Sequence, residues 1–189
     1  MTIGAYPATR FRRVRKSESM RRLVSENTLS TGDLIWPVFL IEGEDRAEPI
    51  ASMPGVERLT TDRVVRAAEW ATSVGIPAIC LFPYTDPALK TETCEEAWNP
   101  ENLSNRAVRA IKAAVPEIAV MTDIALDPYN ANGHDGIVRG DEILNDETVE
   151  ALVKMALAQA EAGADILGCL LYTSPSPRDR TRSRMPSSA

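Results

Sequence analysis

The residues best suited to chemistry sit in one stretch, DIALDPYNANGHDG, from Asp123 to Gly136. Read as the end of a strand, its alternation puts Asp123, Ala125 and Asp127 on one face. The loop that follows brings His134, the single histidine of the chain, beside Asp135, between Gly133 and Gly136. Carboxylates converging on one mouth bind a hard cation, act as acid and base, or hold a cationic substrate. The same residues also read as a plain loop with solvated acids, because Asp-Pro and Asn-x-Gly are turn chemistry. Taken alone, His134 is a loop hydrogen-bonder and not a base or ligand. Spacing leaves these readings open.

Positioning such a loop needs a scaffold, and the pattern predicts strands alternating with helices. LIWPVFLIEG (34–43) and PAICLFPY (77–84) are apolar runs of buried-strand type, and a hairpin-like excursion, IASMPGVERL, follows the first. IAVMTDIAL (118–126) and ADIL (164–167) supply a third strand and the start of a fourth. Val64, Val65, Ala68, Ala71 and Val74 recur at helical spacing from Thr61 to a stop at Gly75. Leu103, Ala107, Val108, Ile111 and Ala114 do the same before Pro116. A third helix is expected to be capped by Asn145, to bury Val149, Leu152, Val153, Ala156 and Ala160, and to end at Gly163. Three strand–helix repeats argue for βα units around a parallel sheet. Periodicity does not separate an open doubly wound sheet from part of a barrel. No glycine-rich phosphate loop follows any strand, which disfavours nucleotide-binding versions.

Composition narrows the class further. The chain has 189 residues, 44% hydrophobic and 25% charged, with a formal net charge of −6. That is ordinary globular usage, and too short for a complete eight-stranded barrel of about 250 residues. No apolar run approaches the roughly 20 residues of a membrane span, and the basic start lacks the apolar core of a secretory leader. Three cysteines (Cys80, Cys94, Cys169) without a CxxC pair argue against a disulfide framework or structural zinc and point to the cytoplasm. Cys80 reads as an apolar filler, Cys94 as a poor nucleophile, and Trp36, Trp70 and Trp98 as core or interface aromatics. Residues 1–22 hold seven basic groups against Glu18, and residues 169–189 four arginines against Asp179. Residues 23–168 are left with ten basic and 25 acidic groups, a net −15 that repels nucleic acid. The basic start therefore reads as an arm packing on acidic surface. Residues 169–189, rich in Ser, Pro and Arg, are expected to be disordered. LLYTSPSPRDRTRSRMPSSA also closely resembles translated sequencing-adapter read-through, so this tail is expected to be non-native.

The segments DLIWPVFLIEG, SMPGVERL, GIPAICLFP, NPENLSNRAVRAIKAAVPEIAVMTDIALDPYNANGHDGIV, ILND and AEAGADIL resemble the porphobilinogen synthase (5-aminolaevulinate dehydratase) family. The likeness runs from about Arg10 to Leu167. It implies an α/β fold, the N-terminal half of a TIM (β/α)8 barrel over 31–168, preceded by an extended arm over 1–30 that wraps a neighbouring subunit, usually in an octamer. It further implies condensation of two 5-aminolaevulinate molecules into porphobilinogen on the way to haem and other tetrapyrroles. Zinc-dependent members carry cysteines where this chain has Ala125, Asp127 and Asp135. One methyl and two carboxylates do not make a thiolate site, and oxygen donors favour magnesium. The resemblance thus points to the aspartate-rich, zinc-independent branch. Asp127 and Asp135 are candidate Mg2+ ligands, and Asp123, Asp127 and Asp135 are candidate catalytic residues in supporting roles.

The family also uses two lysines that form Schiff bases with substrate ketones. The four lysines here, Lys16, Lys90, Lys112 and Lys154, match neither. Lys112 and Lys154 are expected to be solvated helix positions. A chain ending this way is expected to be inactive, with the open edge of its fourth strand inviting aggregation. Two alternatives stand beside this reading. One is a non-catalytic subunit docking on full-length partners; the other is an unrelated magnesium-dependent barrel lyase.

Overall fold

The computed structural model describes residues 4–5, 7–9 and 13–168. The expected tail, 169–189, lies outside the described residues. The chain divides into two units at Ser30 and Thr31. In the first, helix α1 (Glu18–Leu23) is capped by the Ser17 hydroxyl, which accepts from the Met20 amide at 3.3 Å, and no residue of the helix is buried.

The second unit is a mixed α/β body. Its strands are β1 (Ile35–Leu40), β2 (Ala47–Pro49), β3 (Glu57–Leu59), β4 (Ala78–Pro83), β5 (Ala119–Asp123), the β6–β7 hairpin (Val138–Arg139, Glu142–Ile143) and β8 (Ile166–Gly168). Helices α2 (Thr61–Ser73), α3 (Leu103–Ala114) and α4 (Asn145–Ala162) join them. The main sheet runs β2-β3-β1-β4-β5-β8, and β1, β3, β4, β5 and β8 are parallel. Past the β2–β3 hairpin, which flanks β1 on one side, β1, β4, β5 and β8 lie side by side in chain order. The excursion expected after the first strand is the β2–β3 hairpin.

Alternation along the strands sends Val38, Leu40, Ile79, Leu81 and Val120 into one core with Val64, Ala68 and Ala71 of α2 and Ala107, Val108 and Ile111 of α3. The helices thus cover one face of the sheet. The other face carries the register rows Pro37–Cys80–Met121 and Phe39–Phe82. A smaller core gathers Cys94, Ala97, Leu126, Tyr129, Leu152 and Met155 beneath α4. Each large aliphatic side chain fully buried in either core contributes about 1.5–3 kcal/mol.

Several expectations need correction. Strand β5 stops at Asp123, and residues 127–129 form a turn closed by the Tyr129 amide on the Leu126 carbonyl. Continuous strand alternation to Asp127 therefore does not occur: Ala125 is buried and Asp127 exposed. Asn145 does not cap α4. Leu144 is the cap residue, and the Thr148 hydroxyl folds back onto its carbonyl at 2.6 Å. The buried stripe of α4 is Thr148, Ala151, Leu152, Met155, Gln159 and Ala162, whereas Val149 and Val153 are half exposed. Two polar side chains with specific partners took the places that an apolar count assigns to valines. The helix does end at Gly163, whose φ of +104° is the left-handed geometry that glycine adopts without strain.

Lys112 is not a solvated position either. Its ammonium donates to the carbonyls of Pro116 and Ile118, each at 3.1 Å, and to Asp165 at 3.0 Å. Lys154 sits 5.3 Å from the Trp98 ring centroid. Trp70 is 53% exposed, its ring edge-on to Trp36 at 5.2 Å.

Candidate active site

Asp123 is the last residue of β5, on the face away from the helices. Its backbone is fixed from two sides. The Ile124 amide donates to the Gly168 carbonyl of β8 at 2.6 Å, and the Gln159 side-chain amide donates to the Asp123 carbonyl at 3.2 Å. Its Oδ1 is buried and has no hydrogen-bond partner among the described residues. An unpaired buried carboxylate oxygen is costly, so the group has reason to hold a proton or a ligand.

The loop 126–137 delivers the other two acids and is stitched in place by polar groups. Buried Asn130 donates from its side chain to the Gly136 carbonyl at 3.0 Å and accepts from the Asn132 amide at 2.8 Å. The Thr91 amide donates to the Tyr129 carbonyl and the Ala131 amide to the Thr91 carbonyl, tying this loop to the one after β4. The Ile137 amide donates to Thr148 Oγ1 at 3.0 Å, anchoring the far end on α4. Gly136 is tightly held, since a Cβ there would meet Ile143 at 2.9 Å. His134 accepts from the Gly136 amide through Nδ1 at 3.1 Å, a loop-holding bond.

These constraints bring Asp123, Asp127 and Asp135 into mutual electrostatic contact. Although Asp127 as a whole residue is exposed, partial burial of its carboxyl pushes it up to about 6, helped by a side-chain hydrogen bond with Asp135 and by the charges of Asp135 and Asp123. Burial, then the charge of Asp135, also raises Asp123. A carboxyl beside other carboxylates keeps its proton to higher pH than a free one does. No lysine or arginine contributes to either shift. The same open face holds Cys80, whose thiol is pushed up to about 11 by burial and by the charge of Asp123.

As a metal site the cluster is limited. No group of three or more His, Cys, Asp or Glu among the described residues is arranged to hold an ion. The oxygen pair Asp127–Asp135 suits a cation that takes one or two carboxylates and keeps its waters, as magnesium does. It offers nothing to a thiolate-seeking one. The three acids singled out in the sequence interact with one another. Sequence reasoning missed Gln159, Thr148, Asn130 and Tyr129, which hold them; the signal was polar residues falling on otherwise apolar helical or turn positions.

The comparisons with known proteins agree with one another. The family model for delta-aminolevulinic acid dehydratase matches residues 8–170. The delta-aminolevulinic acid dehydratase of Rhodobacter capsulatus is 59% identical over 163 residues, 86% of this chain and 49% of that protein. That of Bradyrhizobium diazoefficiens is 59% identical over 160 residues, covering 85% and 45%. The crystal structure of delta-aminolevulinic acid dehydratase (porphobilinogen synthase) from Toxoplasma gondii ME49, in complex with the reaction product porphobilinogen, superposes with a TM-score of 0.81 at 42% identity. It covers 86% of this chain and 46% of that one. The chain spans about half the length of the curated relatives it matches. On a match of this extent, the chain belongs to the delta-aminolevulinic acid dehydratase family.

Proposed function

We propose that this chain is the carboxylate-bearing part of a porphobilinogen synthase, the N-terminal half of a (β/α)8 barrel. The observation that carries this reading is the Asp123–Asp127–Asp135 cluster at the carboxyl end of a parallel strand, the end at which barrel enzymes build their sites. The substrate is 5-aminolaevulinate, whose ammonium group finds an acidic rim with no competing basic side chain. Asp127, its carboxyl raised to about 6, holds a proton and passes it to or from the substrate amine. The desolvated Asp123 carboxylate orients that amine through the oxygen that has no other partner. A magnesium ion on Asp127 and Asp135 would neutralise the pair and polarise a bound oxygen.

The amines for Schiff-base chemistry lie outside this chain's own complement. Lys112 is committed to Asp165 and two carbonyls, Lys154 lies over Trp98, Lys90 follows a short 3-10 turn, and Lys16 belongs to the first unit. The 189 residues alone therefore do not condense substrate. The basic first unit assembles subunits of the same kind, with their acidic bodies as its partner, and the two buried free thiols fit the cytoplasm.

The test is a fusion of residues 1–168 to the remaining half of the Rhodobacter capsulatus relative, assayed for pyrrole formation. Activity that survives a zinc chelator and falls at least ~100-fold in Asp127→Asn is expected. A folded fusion without pyrrole formation, or one restored by zinc alone, overturns the reading.

A further inference from the structure

Helix α4 reaches the acidic segment with two polar side chains. Near the start of the helix, the Thr148 hydroxyl accepts from the Ile137 amide at 3.0 Å, two residues past Asp135. Near its end, the Gln159 side-chain amide donates to the Asp123 carbonyl at 3.2 Å. Thr148 and Gln159 lie eleven residues apart on the buried stripe of α4, which is three turns and therefore the same face. Along the helix axis they are separated by about 16 Å. The two grips close on opposite ends of one stretch of chain, with Asp123 at its opening and Asp135 next to its close.

Both grips are themselves fixed. Thr148 Oγ1 donates to the Leu144 carbonyl at 2.6 Å, which leaves its lone pairs turned to the Ile137 amide. The Leu144 amide donates back to the Ile137 carbonyl at 2.8 Å. Gln159 is buried, and its Oε1 has no partner among the described residues. A whole amide is thus desolvated for one directed bond, in a stripe where an apolar side chain would fill the same space. Between the grips, Ala151, Leu152 and Met155 share a core with Ile124, Leu126 and Tyr129. The turns that separate Thr148 from Gln159 are therefore the floor on which the segment lies. The bonds inside the loop have a different reach. Asn130 to the Gly136 carbonyl and His134 to the Gly136 amide shape the chain around Asp135, but neither extends to Asp123.

We propose that α4 is the template that sets the separation of Asp123 from Asp135, with Thr148 and Gln159 as its positioning residues. A carbonyl held from the helix fixes the peptide plane after Asp123, and with it the direction in which the carboxyl leaves the strand. At the other end, the held Ile137 amide limits how far Gly136 and Asp135 can shift. Loosening either grip frees the relation between the acids. The geometric claim stands apart from the reaction. Its consequence for turnover rests on the porphobilinogen synthase reading, and the two are tested separately.

Thr148→Val and Gln159→Met keep the shape and remove one polar contact each. In the full 189-residue chain, three-bond couplings from the carboxyl carbons of Asp123 and Asp135 to their own backbone nitrogens report χ1. Circular dichroism serves as the fold control. One rotamer is expected at each acid in the parent, with averaging at Asp123 in Gln159→Met and at Asp135 in Thr148→Val. Thr148→Ser, which keeps the hydroxyl, should behave as the parent. Averaging already present in the parent, or single rotamers retained in both folded variants, overturns the proposal. Should a variant unfold, hydrogen exchange on the unaltered chain decides. The Ile137 amide must then exchange as slowly as the middle of α4, and exchange at loop rates refutes the template.

Kinetics of the fusion described above give the second readout. Each substitution should lower kcat about 10-fold and change KM by less than about 2-fold. The double variant should also fall about 10-fold and not about 100-fold, because one lost grip already frees the acids. Losses that multiply mean two independent contacts and overturn the template. A parent fusion that forms no pyrrole overturns the catalytic reading, and the rotamer result then decides the template by itself.

Discussion

Replacing Asp135 by Asn tests whether the three acids are energetically one group. In the folded chain the Asp127 carboxyl titrates near 6, against an ordinary 3.8, and Asp135 contributes to that displacement through both its hydrogen bond and its charge. A carboxyl raised on folding binds a proton more tightly in the native state. Its contribution to stability is therefore complete below about pH 4 and is lost as the pH rises through 6. The full displacement of about two pKa units corresponds to ~3 kcal/mol of differential energy. Burial supplies the largest share, and Asp127 is open to solvent on one side, where water screens the charges. The part that Asp135→Asn removes is thus about 0.5–1 kcal/mol. The variant should be more stable than the parent at pH 7.5, with Tm higher by about 1–4 °C, and equal to it at pH 4.5. Carbon-detected NMR of the Asp127 carboxyl should show its midpoint falling by about half a unit, a partial return because burial persists. An Asp127 midpoint near 4 in the parent, or a stability gain of the same size at both pH values, would refute the coupling.

Three further outcomes follow from other contacts. Lys112→Met removes the ammonium that joins α3 to Asp165 and two carbonyls, and should cost about 1–3 kcal/mol in denaturant unfolding. Asp165 is held low despite some burial by the Val120 amide and Lys112, so this loss should shrink as the pH falls through the folded carboxyl's own range. Gln159→Leu leaves the Asp123 carbonyl without its side-chain donor and should destabilise by about 1–2 kcal/mol, while Gln159→Glu should cost more by placing another acid beside the cluster. Cys80 and Cys94, both buried with thiols pushed up to about 11, should resist alkylation at pH 8 and react fully only in denaturant.

The order of strands and helices was readable because the βα units obey one period each. Apolar runs without alternation gave β1 and β4, and rows at three and four residues gave α2 and α3. What the pattern misjudged lies where a polar group has a specific partner. Thr148 and Gln159 occupy the buried stripe of α4 because each satisfies a backbone group of the acidic loop or of β5, and no hydrophobic count foresees that. Lys112 looked solvated because it stands off the apolar row, yet three oxygens from the end of α3, the start of β5 and the turn into β8 surround it. At the site, residue type identified the three acids. Their proximity came from a turn and a loop closure that depend on Asn130 and Thr91, contacts set by the fold and not by spacing.

The Lys112–Asp165 bridge also bears on how the chain is made. Asp165 receives the Val120 amide and the Lys112 ammonium across 45 and 53 residues, so the ribosome delivers both donors long before their acceptor exists. Until α4 has emerged and turned back at Gly163, water must serve the beginning of β5. Synthesis paused inside α4 should yield a nascent body whose first two βα layers are compact while β5 exchanges freely, and the arrival of one carboxylate closes it.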